Sequence, residues 1–108
     1  MKERERRHIF REAYYTPSLF RIMREKIPFN KVKVLNLSSC ELSCIPVLED
    51  FEVLEILHMN NNNIQKIDPL ENLSLLIDLG LAHNSIKKLE NINLEELMYL
   101  DLSYNKIE

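Results

Sequence analysis

The sequence predicts an α/β fold of stacked coils: a right-handed solenoid whose short strands form one parallel sheet on the concave side, closed at the N-terminal end by α-helices. Three observations lead to it. Apolar residues after position 31 recur with a period of 22 residues. Each period opens on two leucine-type positions flanking a single variable one, the alternation of a short strand. Ahead of the repeats lies a charged segment whose apolar residues are spaced as on a helix. Two parts follow, a helical N-terminal cap at 1–31 and a repeat region at 32–108.

The repeats come first because they carry most of the chain. Residues 32–53, 54–75 and 76–96 are three successive coils, and 97–108 is a fourth that stops twelve positions in. The template is L-x-x-L-x-L-x-x-N-x-I-x-x-I with two further apolar positions. The second coil fills it with Leu54, Leu57, Met59, Asn62, Ile64, Ile67, Leu70 and Leu73. The third uses Leu76, Leu79, Leu81, Asn84, Ile86, Leu89, Ile92 and a displaced Leu94, and the fourth Leu97, Leu100, Leu102, Asn105 and Ile107. The first has Val32, Leu35, Leu37, Cys40, Leu42, Ile45, Leu48 and Phe51.

The two leucines of Leu-x-Leu point inward, and the residue between them points out. The asparagine at the ninth position sits where the strand turns away. Its amide both donates and accepts, so Asn62, Asn84 and Asn105 are expected to form an internal ladder satisfying turn backbone within a coil and the next. Cys40 takes that place in the first coil. This pattern resembles the leucine-rich repeat family in its short 22-residue class. The segment Asn84-Ser85-Ile86-Lys87-Lys88-Leu89-Glu90-Asn91-Ile92 is similar to repeats of protein phosphatase 1 regulatory subunits. The resemblance implies a solenoid that binds a protein on its concave face and catalyses nothing.

A coil cannot fold alone, because the entropy of ordering it exceeds what its own apolar residues recover. Both ends of the stack therefore need covers. At the N-terminal end, Ile9, Phe10, Ala13 and Tyr14 share one stripe of a helix over 2–15. Thr16-Pro17 then reads as an N-cap and first helical position, and a second helix buries Leu19, Ile22 and Met23 before Pro28 stops it. At the other end, the edge at Leu97, Leu100, Leu102 and Ile107 is expected to be covered by missing sequence or by another chain.

Charge divides the chain. Residues 1–33 carry ten Lys/Arg against four Glu, while 34–108 carry four Lys against thirteen Asp/Glu, within an overall charge of −3. Arg4, Arg7 and Arg11 recur at helical spacing. A second functional reading follows, a structural or targeting element tethered through basic helices to an acidic polymer such as a cytoskeletal or axonemal filament. The acidic remainder argues against nucleic acid.

Composition removes several function classes. One glycine is too few for a phosphate-cradling loop or a dinucleotide fingerprint. Two cysteines make neither a disulfide framework nor the usual zinc site. No run of about 18 apolar residues offers a bilayer-spanning helix. The charged start at Met1–Arg7 leads into no apolar signal region, so the expected compartment is cytoplasm or nucleus.

Candidate partner-binding residues are the outward strand positions. Val34, Ile56, Asp78 and Tyr99 make one column; Asn36, His58, Gly80 and Asp101 make another. Ser38, Asn60, Ala82 and Ser103, then Ser39, Asn61, His83 and Tyr104, complete the face. Tyr99 and Tyr104 offer large area with a polar tip, which suits a protein partner. Gly80 is expected to leave a gap that admits a partner side chain. His58, Asp78, His83 and Asp101 are the sole carboxylate–histidine set on this face, but a sheet surface converges poorly on a metal ion. No enzyme activity, cofactor or metal is expected.

Overall fold

The computed structural model describes residues 28–108. The two predicted helices and most of the proposed cap lie outside the described residues. Of the 1–31 segment, the described residues hold a single 3-10 turn, Phe29–Lys31, whose Phe29 is buried against Phe51 with ring centroids 4.5 Å apart. No α-helix occurs among the described residues, so the helical half of the expected α/β class is not on view there.

Each coil contributes a three-residue strand: β1 Val34–Asn36, β2 Ile56–His58, β3 Asp78–Gly80 and β4 Tyr99–Asp101. They form one parallel sheet in the order β1-β2-β3-β4. The register repeats the sequence template: Leu35, Leu57, Leu79 and Leu100 are successive partners. Strands this short persist because the same pairing recurs in every coil and hydrogen bonding continues beyond the strand ends. The amides of Leu37, Met59 and Leu81 donate forward to carbonyls of His58, Gly80 and Asp101 at 2.7–2.9 Å. Those of Ser39, Asn61 and His83 donate forward to Asn60, Ala82 and Ser103 at 2.9 Å.

The return path contains no helix. It is built of tight turns in which an amide bonds the carbonyl three residues earlier: Phe51 to Leu48, Leu54 to Phe51, Leu73 to Leu70, Leu76 to Leu73 and Leu97 to Leu94. Every donor and acceptor residue here is a template apolar position. The turn spacing therefore aims each of these side chains into the interior while satisfying part of its backbone. The core is one continuous cluster from Phe29 to Ile86, with Ile92, Leu94, Leu97 and Leu102 packed partly against it.

Leu89 departs from the template. Its equivalents Ile45 and Ile67 are buried, yet Leu89 is 56% exposed. A position in the return path is covered by the return path of the following coil, and none packs there among the described residues.

The asparagine ladder is present and runs backward, which corrects the expectation that it serves its own coil and the next. Asn62 Oδ1 accepts from the amides of Cys40 and Leu42 at 3.0 and 2.8 Å, and its Nδ2 donates to Leu37 and Met59 carbonyls. Asn84 accepts from Ile64 at 3.0 Å and donates to Met59 and Leu81. Asn105 accepts from Ile86 at 2.9 Å and donates to Leu81 and Leu102. Each amide thus closes its own turn and satisfies the turn of the coil before it. In the first described coil, Cys40 Sγ instead donates locally to the Ser38 carbonyl at 3.4 Å.

Candidate functional site

The outward columns form as predicted. Val34, Ile56, Asp78 and Tyr99 are successive partners across the sheet, and so are Asn36, His58, Gly80 and Asp101. The two columns differ in what their side chains are free to do.

The seventh position of each coil presents an amide that the strand ladder does not use, and two devices satisfy it. In the first coil Asn36 Oδ1 accepts from Ser38 N at 3.0 Å; in the fourth Asp101 Oδ1 accepts from Ser103 N at 3.0 Å. Both are Asx-turns, in which a short side chain two residues back mimics a backbone acceptor. The second and third coils have His58 and Gly80 at that fifth position, neither of which makes this turn. There the preceding coil supplies the acceptor: Ser38 Oγ takes the Asn60 amide at 3.1 Å, and Asn60 Oδ1 takes the Ala82 amide at 2.8 Å. Asn36 and Asn60, expected to meet a partner, are therefore committed to backbone.

Gly80 is a second correction. The gap it leaves is already filled from within. A Cβ on Gly80 would lie 2.9 Å from Asn60 Oδ1 and 3.0 Å from His58 Cδ2, and Gly80 itself is buried. The missing side chain lets Asn60 reach Ala82 and lets the His58 ring lie across the third coil, where Nε2 comes 3.2 Å from Asp78 Oδ2. No partner side chain can enter that space.

The eighth position is conformationally special in every coil. Ser39, Asn61, His83 and Tyr104 have φ of 56–57°, the left-handed region that residues with a Cβ enter at a cost. Here the chain leaves the strand and swings the ninth-position asparagine inward. His83 and Tyr104 stack at this corner, with ring centroids 4.2 Å apart and planes 8° from parallel. Left-handed geometry at this position has no signature in the sequence, since four different residue types occupy it.

The exposed ground of the face lies toward β4. Tyr99 is 62% and Tyr104 75% exposed, and Asp101 and His83 are also open to solvent. The Ser103 hydroxyl donates to Asp101 Oδ1 at 2.6 Å. That bond and the Ser103 amide hold the Asp101 carboxyl below its ordinary value, with a smaller contribution from His83. Val34, Ile56, His58 and Asp78 are half-buried on the older side of the sheet.

His58 and Asp78 pair, but His83 turns away to stack on Tyr104, so the four carboxylate and histidine residues do not converge on one point. No group of His, Cys, Asp and Glu fit to hold a metal ion occurs among the described residues. Among them, no helix is long and apolar enough to cross a membrane. Cys40 is buried, as its template position implies, and Cys44 is exposed.

The model of the family described as Leucine Rich repeats (2 copies) matches residues 30–72. No curated protein matches the sequence significantly. Nine chains of solved structures do match. One of them, from the crystal structure of the TLR13–ssRNA13 complex, is 38% identical with a TM-score of 0.62, over 68% of this chain. The aligned part is only 11% of that chain, so the present sequence spans a small share of its length. Residues 30–72 thus match leucine-rich repeats, and the period, register and asparagine ladder of the later coils continue the same pattern.

Proposed function

We propose that the chain is a non-catalytic protein-interaction module, an adaptor or regulatory subunit that holds a protein partner on the outward face of its sheet. Leucine-rich-repeat domains generally mediate protein–protein interaction, and the observation that carries the reading here is a division of labour. Asn60 and Gly80 are absorbed in holding coils together and Asn36 in closing its own turn, while Tyr99, His83 and Tyr104 form an exposed aromatic surface beside Asp101, which closes its turn through Oδ1 and keeps its charge open to solvent. Exposed tyrosines on a rigid sheet give contact area at little entropic cost. Ile56 and Val34 extend the surface with aliphatic area.

The texture shared with protein phosphatase 1 regulatory subunits supports a regulatory role, and the charged, cysteine-poor composition supports a cytoplasmic or nuclear setting. RNA, the ligand named for the TLR13 structure, is disfavoured for this face, whose outward columns hold Asp78 and Asp101 and no Lys or Arg.

Affinity capture from native lysate with wild type beside Tyr99→Ala and Ile56→Ala tests the proposal. The expected result is loss of a specific partner in at least one variant while urea unfolding midpoints stay close to wild type. Unchanged capture by both variants removes the face from consideration.

A further inference from the structure

We propose that the β4 end of this face, built from Tyr99, Asp101 and the stacked His83–Tyr104 pair, is a docking site for an extended, arginine-bearing basic segment of the partner protein. The inference rests on the protein-binding reading above and narrows it to a chemical class.

Charge complementarity is the first argument. The outward columns carry two carboxylates and no lysine or arginine, and every lysine of the described residues falls at other template positions. The surface accordingly repels phosphate and anionic lipid and attracts cations.

The second argument is the arrangement of Asp101. Both hydrogen bonds from Ser103 go to Oδ1, which orients the exposed carboxylate and leaves Oδ2 free to accept. A preoriented acceptor loses less on binding than a mobile one.

The third is the flat aromatic ground around it. The Tyr104 ring is held parallel to His83, and Tyr99 stands two residues before Asp101 on β4. A planar guanidinium can stack on a ring and donate in its plane to a carboxylate at the same time; an ammonium cannot do both.

Asp78, half-buried and with Oδ2 3.2 Å from His58 Nε2, gives the site a direction through its other oxygen. It pairs with Tyr99 in the register, one strand over and two residues back from Asp101, roughly 8 Å away by strand spacing. Successive same-side residues of an extended peptide lie about 6.8 Å apart, so two cations separated by one residue reach both carboxylates.

The test is fluorescence anisotropy of the full chain with three labelled peptides at low salt: Gly-Ser-Arg-Gly-Arg-Ser-Gly, its lysine counterpart and its citrulline counterpart. The arginine peptide should bind about fivefold tighter than the lysine peptide and over about tenfold tighter than the citrulline one. Asp101→Asn and Tyr104→Ala should each weaken it about fivefold, whereas Glu71→Gln, on the return path, should leave it unchanged. Asp101→Asn keeps an oxygen for Ser103, so its fold is expected to persist and is checked by its amide spectrum.

Equal binding of the arginine and lysine peptides, or indifference to Asp101→Asn, would overturn the proposal. So would sedimentation showing self-association that Asp101→Asn abolishes, which would hand the site to the basic N-terminal segment of a second copy. Lysate capture that still depends on Ile56 and Tyr99 while no arginine preference exists would remove this inference alone; capture indifferent to both would remove the broader reading.

Discussion

Leu79 and Leu100 are paired neighbours in one sheet, at the same template position, in coils that share their lettering. Leu79 is fully buried and Leu100 is 40% exposed. The difference lies in the company each keeps: β3 has a strand on both sides, whereas β4 has one on a single side. Asn84 and Asn105 show the same contrast, one buried and the other half-buried, with matching hydrogen bonds to the preceding coil. Burial in this fold belongs to pairs of coils, and the template residue only makes it available.

The contrast can be pressed by mutation. The largest expected effect is at the interior leucine: Leu79→Ala should cost about 3–4 kcal/mol in urea unfolding and Leu100→Ala about 1–2. Equal costs would mean that the outer coil is as well packed as the inner. Next is the ladder, where Asn84→Ala should cost about 2–3 kcal/mol and Asn105→Ala about 1, since the first strands more deeply buried backbone groups.

Gly80→Ala should destabilise by about 1 kcal/mol and separate His58 from Asp78, visible as a shift of the His58 ring signals. No shift would show that the pair does not depend on the missing Cβ. The smallest effect is a gain: Ser39→Gly should stabilise by about 0.5 kcal/mol by relieving left-handed backbone, and a loss would place the strain elsewhere.

Acid separates the outer coil in another way. The Asp101 carboxyl is depressed when folded, so whatever it adds to stability is present above the ordinary carboxylate range and disappears as pH falls through the lower folded value. Ser103→Ala should move its titration, followed by carboxyl carbon shifts, back up toward the ordinary value. An unmoved midpoint would assign the depression to another cause.

Most of the sheet was legible in the letters. Leu-x-Leu fixes which side chains face inward, and a 22-residue period fixes which residues become neighbours, so the columns through Val34 and Asn36 follow directly. The ladder's direction was not legible, because an amide donates and accepts alike and the template has no polarity between coils. The backbone bonds of Asn36 and Asn60 and the filled space over Gly80 were missed for a related reason. Alternation states which face a residue takes, but it does not say whether backbone has already claimed the side chain. One signal was present: Asn36-x-Ser38 and Asp101-x-Ser103 both have Asx-turn spacing. Asn72 and Asn91, which donate to Leu48 and Ile67 carbonyls on the return path, occupy unlike template positions and gave no such signal. The exposure of Leu89 depends on a neighbour that its own coil does not encode.

Residue-resolved hydrogen exchange in Asn84→Ala tests the coil-to-coil coupling most directly. The Ile64 amide is held by Asn84, while the Leu42 amide, one coil earlier, is held by Asn62 at the same template position. The backward ladder predicts that Ile64 exchange accelerates by about tenfold or more relative to Leu42. Acceleration of both amides by the same factor, or of neither, would contradict it.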